Sequence, residues 1–206
     1  MRSEGAVGRL VAIVLAAGGS RRLGRPKQLL AFHGESLVRR AARAALESGA
    51  DETLVVVGAH AERVAQGVGD LAVRVVQNPD WEEGLASSIR AGVAAARQTT
   101  EPLDALLLCL ADQPLVDSAV LAELIRAWKE GAATVACGHP DGPGVPALFS
   151  RPSDLEALAS LEGDRGARGL LRTSDTGGLR VIPCAAAAID IDSEEDWRQW
   201  LEGMEP

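Results

Sequence analysis

The apolar positions begin as one unbroken run, Leu10–Ala17, LVAIVLAA, which stops at Gly18-Gly19-Ser20. A Val/Ile/Leu run ended by glycine is the pattern of a strand covered on both faces, as inside a parallel sheet. Ser36 then stands before Leu37, Ala41, Ala44 and Ala45 at helical spacing, with Gly49 beyond, which predicts a capped helix over Ser36–Ser48. Thr53–Val57 reads as a second strand, His60–Gln66 as a weaker helix and Val73–Gln77 as a third strand. Leu85, Ile89, Val93 and Ala96 share one face of a helix over Leu85–Arg97, and Ala105–Leu110 is a strongly apolar strand. Asp117 is placed to cap a helix whose stripe is Val120, Leu121, Leu124, Ile125 and Trp128. Beyond it the pattern predicts a strand at Thr134–Cys137, a loop over Gly138–Gly144 and extended chain at Val145–Phe149. Short helices near Leu155–Leu161 and Ala167–Arg172, strands at Leu179–Ile182 and Ala187–Ile191, and a last helix, capped by Asp192 or Ser193, that packs Trp197, Trp200 and Leu201 inward complete the order.

Strands alternating with helices through short connections predict a doubly wound α/β fold with a mostly parallel sheet. The 206 residues suit one domain over 9–206, preceded by a small, polar, disordered leader at Met1–Gly8. Aromatic residues are 3% and Tyr is absent, so the core has to be built from Leu, Val and Ala. A formal charge of −8 excludes a general nucleic-acid or anionic-membrane binder, and the basic cluster near the N-terminus becomes a local site on an acidic protein. Cys109, Cys137 and Cys184 stand singly in apolar sequence without CxxC or Cys/His spacing, the usage of reduced, buried thiols in a cytoplasmic protein. No apolar run approaches the ~18 residues of a membrane span. Arg2 and Arg9 ahead of Leu10–Ala17 imitate a signal peptide, but the segment that follows makes functional sense only if the strand is retained.

Five segments can carry chemistry. After the first strand, glycines let backbone N–H groups approach a bound group while Arg21, Arg22, Arg25 and Lys27 bring positive charge to the same place, which is how a chain holds phosphates. The segment is neither a GxxxxGK[ST] loop nor a GxGxxG fingerprint, because Gly18, Gly19 and Gly24 miss both spacings. An ordinary strand-to-helix turn with solvated arginines is the plain alternative. Asp112 ends the most hydrophobic strand, and Pro114 delays the next helix; a carboxylate there can hold Mg²⁺ or simply form a turn. Asp190 and Asp192 alternate with isoleucines and share a strand face; Asp192, with Glu195 three residues on, suits a capping box, which leaves Asp190 for metal. In NPDWEEGLASS, Asn78, Gly84, Ser87 and Ser88 could touch a base or ribose, or cap the helix. Asp164 and Arg165, in GDRGAR, suit a second anion or a solvated loop.

Taken together, these segments resemble a known family. LAAGGSRRLGRPKQLL is similar to the signature of nucleotidyltransferases with the glycosyltransferase-A-like fold, a Rossmann-like three-layer sandwich with a mostly parallel mixed sheet. NPDWEEGLASSIRAGV, LADQP, GVPALF, GDRGAR and DIDSEEDW follow in the order of its molybdenum cofactor cytidylyltransferase branch, so the resemblance covers nearly the whole chain. It implies that Leu15, Ala16, Ala17, Gly18, Gly19 and Ser20 wrap the nucleotide, with Asn78, Gly84, Ser87 and Ser88 contributing. Arg22 and Lys27 would be catalytic and hold the triphosphate, Asp112 and Asp190 would hold Mg²⁺ or Mn²⁺, and Asp164 and Arg165 would meet the acceptor. Related guanylyltransferases typically carry Gly where Ala17 stands, so the resemblance favours CTP over GTP.

The implied reaction moves CMP from CTP to the phosphate of molybdenum-bound molybdopterin and releases pyrophosphate, with a molybdenum hydroxylase apoenzyme as the eventual recipient and neither nucleic acid nor membrane as partner. Two alternatives stand beside it: a sugar or polyol phosphate as acceptor, and a non-catalytic accessory protein that loads a molybdenum hydroxylase.

Overall fold

The computed structural model describes residues 8–173, 178–191 and 193–202, leaving aside the side chains of 173 and 200–202. Most of the expected leader and Asp192 therefore lie outside the described residues, as do the side chains of Trp200 and Leu201. Seven strands form one sheet: β1 (Arg9–Ala16), β4 (Glu52–Val57), β5 (Arg74–Gln77), β6 (Leu103–Leu110), β7 (Thr134–His139), β8 (Gly142–Phe149) and β9 (Leu179–Pro183). Their spatial order is β5-β4-β1-β6-β8-β7-β9. Only β8 runs antiparallel to its neighbours, so the sheet is mostly parallel and mixed, as expected.

The side-chain alternation of β1 shows how the layers form. Leu10, Ala12, Val14 and Ala16 face one core with α1 (Leu37–Glu47), α2 (Ala61–Gln66) and α4 (Ser118–Lys129). Val11, Ile13 and Leu15 face the other, with α3 (Leu85–Ala96), α5 (Pro152–Ala159) and α6 (Arg168–Thr173). Both faces are covered, which is why β1 tolerates an unbroken apolar run. The caps follow the sequence: Ser36 Oγ accepts from Arg39 N–H, and Asp117 from Val120 N–H. β1 lies between β4 and β6: the chain passes from β1 to β4 and β5 on one side and then crosses back to β6 on the other, and this reversal opens a crevice above the carboxyl end of β1.

Three expectations change. Gly138–Gly144 is not a loop: β7 and β8 pair through it, with His139 opposite Gly142 across a two-residue Pro140-Asp141 turn that Gly142 leaves at φ +108°. The register shift between Ala136 and Cys137 leaves Val145 and Pro146 outside the ladder, so the proline removes no paired donor. Ala187–Ile191 is not a strand. Ala185–Ala188 forms a 3₁₀ turn, consistent with alanines that favour helical backbone over the pleat. Helix α5 starts earlier than expected because Pro152 occupies its first turn, where a missing N–H costs nothing.

A hairpin of β2 (Ala31–Phe32) and β3 (Glu35–Ser36) turns on His33 and Gly34, both with positive φ (49° and 79°). The last helix, α7 (Glu194–Glu202), is capped by Ser193, one of the two caps expected, with Asp196 rather than Glu195 as its reciprocal partner: Ser193 Oγ accepts from Asp196 N–H while the Asp196 carboxylate accepts from Ser193 N–H. Ile191 and Trp197 pack with Leu23, Leu30, Phe32 and Leu37, so the C-terminal segment supports the glycine-arginine loop. Cys109, Cys137 and Cys184 are free and buried in one cluster, adjacent in space although isolated in sequence. No helix among the described residues is long and apolar enough to cross a membrane.

Candidate nucleotide and metal site

Where β1 ends, the chain turns instead of entering a helix. Ser20, at φ 50°, accepts backbone bonds from Leu23 and Gly24, each 3.1 Å, and its Oγ accepts from Lys27 N–H at 3.0 Å. Pro26 leads into a 3₁₀ turn, Lys27–Leu29, that swings Lys27 back over the sheet. Its Nζ meets the carboxylate of Asp112, 85 residues away.

Asp112 is positioned by the neighbouring strand. Ala111 N–H donates to Leu15 C=O at 3.1 Å, carrying the β1–β6 ladder one residue further. Gln113 then donates to the carbonyls of Val145 and Ala187 at 3.1 and 2.9 Å and anchors the turn from below. Asp112 Oδ2 binds Lys27, whereas its Oδ1 is buried without a hydrogen-bond partner. A buried carboxylate oxygen left unpaired costs about 1–3 kcal/mol. It is an acceptor waiting for a cation or donor, and that fits a divalent metal.

The Asp190 segment lies alongside: Ile191 N–H donates to Asp112 C=O at 3.1 Å. Asp190 itself is exposed. Among the described residues no three His, Cys, Asp or Glu side chains converge as a metal cage. A cation held by Asp112 and Asp190 would therefore draw its remaining ligands from phosphate oxygens and water.

A cleft of about 490 Å³ opens over the carboxyl ends of β1 and β6. Of the expected residues, Leu15, Ala17, Gly18, Gly19, Lys27 and Asp112 line its floor and basic end, and Gly84, Ser88 and Asp164 line its far wall. Ala16, Ser20, Arg22, Asn78, Ser87, Arg165 and Asp190 do not line it. Asn78 and Ser87 serve the wall's architecture: Asn78 Nδ2 donates to Ser87 Oγ (2.9 Å) and Ser88 Oγ (3.1 Å), and Ser87 donates to Gly84 C=O (2.8 Å). Ser88 thus accepts from Asn78 and keeps its own proton for the cleft. Arg22 is exposed on the loop, while Arg21 lines the cleft and pairs with Glu82 at 3.3 Å. That exposed pair contributes about 0–1 kcal/mol and would yield readily to a phosphate.

Asp164 reaches the site because its loop docks on the start of α3: Ala86 N–H donates to Gly163 C=O at 3.1 Å. Gly84 (φ +108°) is required there, since a Cβ would sit 2.7 Å from Gly163 O and against Asp164. Glu82, Leu85, Leu110 and Ala111 line the cleft without having been anticipated, as do Gln28 and Trp81, which shape it most. Gln28 is 2% exposed and donates to the carbonyls of Ala16 (3.1 Å) and Gly18 (2.6 Å). Trp81 packs its ring edge on Gly19, where a Cβ would lie 2.9 Å from Cζ3. A lone large aromatic in an acidic loop was a usable signal; a glutamine beside the lysine was not.

Comparison with known proteins places this geometry. Residues 12–178 match the family model described as the MobA-like NTP transferase domain. The chain is 34% identical over 198 residues to nicotine blue oxidoreductase of Paenarthrobacter nicotinovorans, covering 92% of this chain and 95% of that protein. It is 31% identical over 191 residues to a probable molybdenum cofactor guanylyltransferase of Opitutus terrae, covering 92% and 88%. Among solved structures, Rv0371c of Mycobacterium tuberculosis H37Rv superposes with a TM-score of 0.80 at 30% identity, over 96% of this chain and all of that one. A manganese complex of Rv0371c matches with a TM-score of 0.77 at 29% identity, covering 95% of this chain and all of that one.

Proposed function

We propose that this chain, which belongs to the MobA-like NTP transferase family, transfers CMP from CTP to the phosphate of molybdenum-bound molybdopterin and releases pyrophosphate. The observation that carries the reading is the Lys27–Asp112 pair at the basic end of the cleft, an ammonium beside a carboxylate whose second oxygen is buried and unbonded. The similarity to a molybdenum cofactor guanylyltransferase supports the pterin acceptor. Cytosine is favoured by Ala17, a buried methyl lining the cleft, where the guanylyltransferases that this loop resembles typically carry glycine.

The acceptor is a phosphate monoester with a second pKa of about 6, so its oxygen is already anionic at neutral pH and needs no strong general base. One of its oxygens attacks the α-phosphorus of CTP; a P–O bond forms there, the α–β bridging P–O bond breaks, and the electron pair leaves with pyrophosphate. Lys27 leaves Asp112 for the phosphates and, with Arg22 on the exposed loop, offsets charge that builds on the leaving group. Asp112 and Asp190 would hold Mg²⁺ or Mn²⁺, which supplies neutralisation of the phosphate oxygens. Asp164 stands at the cleft's far wall, opposite Lys27's end, on the side assigned to the acceptor.

Incubation with each NTP, Mg²⁺ or Mn²⁺ and molybdenum-loaded pterin tests the reading through pyrophosphate release. CTP should lead; preference for GTP overturns the base assignment, and release only with a sugar phosphate overturns the acceptor. Nucleotide binding without turnover would instead identify a cofactor-loading accessory protein. Oxidoreductase chemistry is a second reading, supported by the similarity to nicotine blue oxidoreductase at 34% identity, and an assay for conversion of nicotine blue separates it.

A further inference from the structure

Gln28 is a fully buried polar side chain one residue beyond the lysine that points at the cleft. Its amide donates to two carbonyls of the glycine-rich loop, Ala16 at 3.1 Å and Gly18 at 2.6 Å. Its Oε1 accepts from Ser20 Oγ at 3.4 Å, and the same Oγ accepts from Lys27 N–H. One side chain therefore holds both alternate carbonyls of the loop and the serine that closes it.

A planar trans peptide sets its C=O and N–H in opposite directions. Carbonyls drawn down onto Gln28 turn the N–H groups of the next residues, Ala17 and Gly19, away from it. Ala17 and Gly19 both line the cleft. Among the described residues no acceptor is hydrogen-bonded to the Gly19 N–H. Trp81, packed on Gly19 from another direction, restricts the loop further.

From this we infer that Gln28 is a positioning residue: it aims the Ala17 and Gly19 N–H groups into the cleft as a fixed pair of donors for a nucleotide's anionic or carbonyl oxygen. The inference rests on the nucleotide reading of the cleft. Glutamine suits the task because its amide supplies two donors, whereas an ionised glutamate of the same shape would face two carbonyl oxygens with acceptors alone.

Calorimetry on the full chain, with CTP and with GTP in the presence of Mn²⁺ and no acceptor, tests it against Gln28→Met and Gln28→Glu, with thermal unfolding run in parallel. Gln28→Met should weaken nucleotide binding about tenfold, and Gln28→Glu about a hundredfold, since hydrogen bonds to charged groups are the strong ones. In turnover the loss should fall on KM for the nucleotide and largely spare kcat. A purely structural glutamine would lower Tm and leave both affinity and KM unchanged, and affinity within twofold of wild type in a folded Gln28→Met overturns the inference. If the variants do not fold, the wild-type protein still decides: the Gly19 amide resonance should shift when nucleotide is added, and an unmoved resonance overturns it. Wild-type protein that binds neither nucleotide refutes the nucleotide reading itself; wild-type binding with an unaffected Gln28→Met refutes only the role of Gln28.

Discussion

Replacing Asp112 with asparagine removes the charge that faces Lys27 while keeping the shape of the turn. Truncating one partner of a fully buried ion pair costs about 3–5 kcal/mol, and of an exposed pair about 0–1 kcal/mol. With side chains 18% and 16% exposed, this pair lies between the limits. Asparagine still places a polar amide atom at the buried, unbonded Oδ1 position, so the cost of about 1–3 kcal/mol there is not relieved. The net change is therefore the loss of the pair, about 2 kcal/mol, or about 4–8 °C in Tm for a chain of this size. Function should respond differently. Loss of one preorganised charge at the reacting phosphate lowers turnover about a hundredfold or more. Nucleotide and cation also break the same pair in the wild type, so each should bind more tightly when the other is present, whereas in Asp112→Asn metal-free CTP should bind more tightly than to wild type and the gain from Mn²⁺ should shrink. Calorimetry of CTP with and without Mn²⁺, beside a thermal melt and pyrophosphate release, reads all three. Near-normal pyrophosphate release, or a metal dependence identical to wild type, would refute the assignment of Asp112; a Tm loss beyond about 15 °C would refute the intermediate worth given to the pair.

Ala17→Gly should move base preference from CTP toward GTP by roughly 10- to 200-fold in kcat/KM, the worth of about one methyl on a pocket wall, and an unchanged ratio would remove Ala17 from base selection. Trp81→Ala should raise KM for the nucleotide more than it lowers kcat, because the ring supports Gly19 from outside the reacting atoms; steady-state kinetics check the split. Burial pushes the Cys109 thiol up to about 12, and burial together with the neighbouring Cys184 pushes Cys137 up as well. Neither should react with an aromatic disulfide at pH 8 in the folded protein, whereas all three cysteines should titrate after guanidinium unfolding. Between an unfolded value of 9.0 and a folded value of about 12, the native state keeps a proton at Cys109 that the unfolded chain loses. Stability should therefore decline as pH rises above about 9, which denaturant melts across that range would detect.

The strands and caps were legible because their causes are local. Leu10–Ala17 read as a strand covered on both faces, and Ser36 and Asp117 announced their helices. The β7–β8 hairpin was hidden because Gly142, Pro143, Gly144 and Pro146 read as punctuation until a bulge removes Val145 and Pro146 from the ladder. Cys109, Cys137 and Cys184 looked solitary because only the sheet order brings them together. The loop's glycines and arginines pointed toward phosphate as a ligand, yet composition could not say that Arg21 lines the cleft and Arg22 stays exposed outside it. Gln28 escaped notice for a related reason: whether a glutamine is solvated or buried under two carbonyls depends on how a 3₁₀ turn folds back over β1.

The most direct measurement follows the α-phosphate itself. With CTP labelled at that position, divalent metal and molybdenum-loaded pterin, label should appear on the pterin product, with one pyrophosphate released for each CMP transferred. Label recovered only as free CMP, or pyrophosphate absent from a protein that binds CTP, would contradict nucleotidyl transfer to the pterin phosphate.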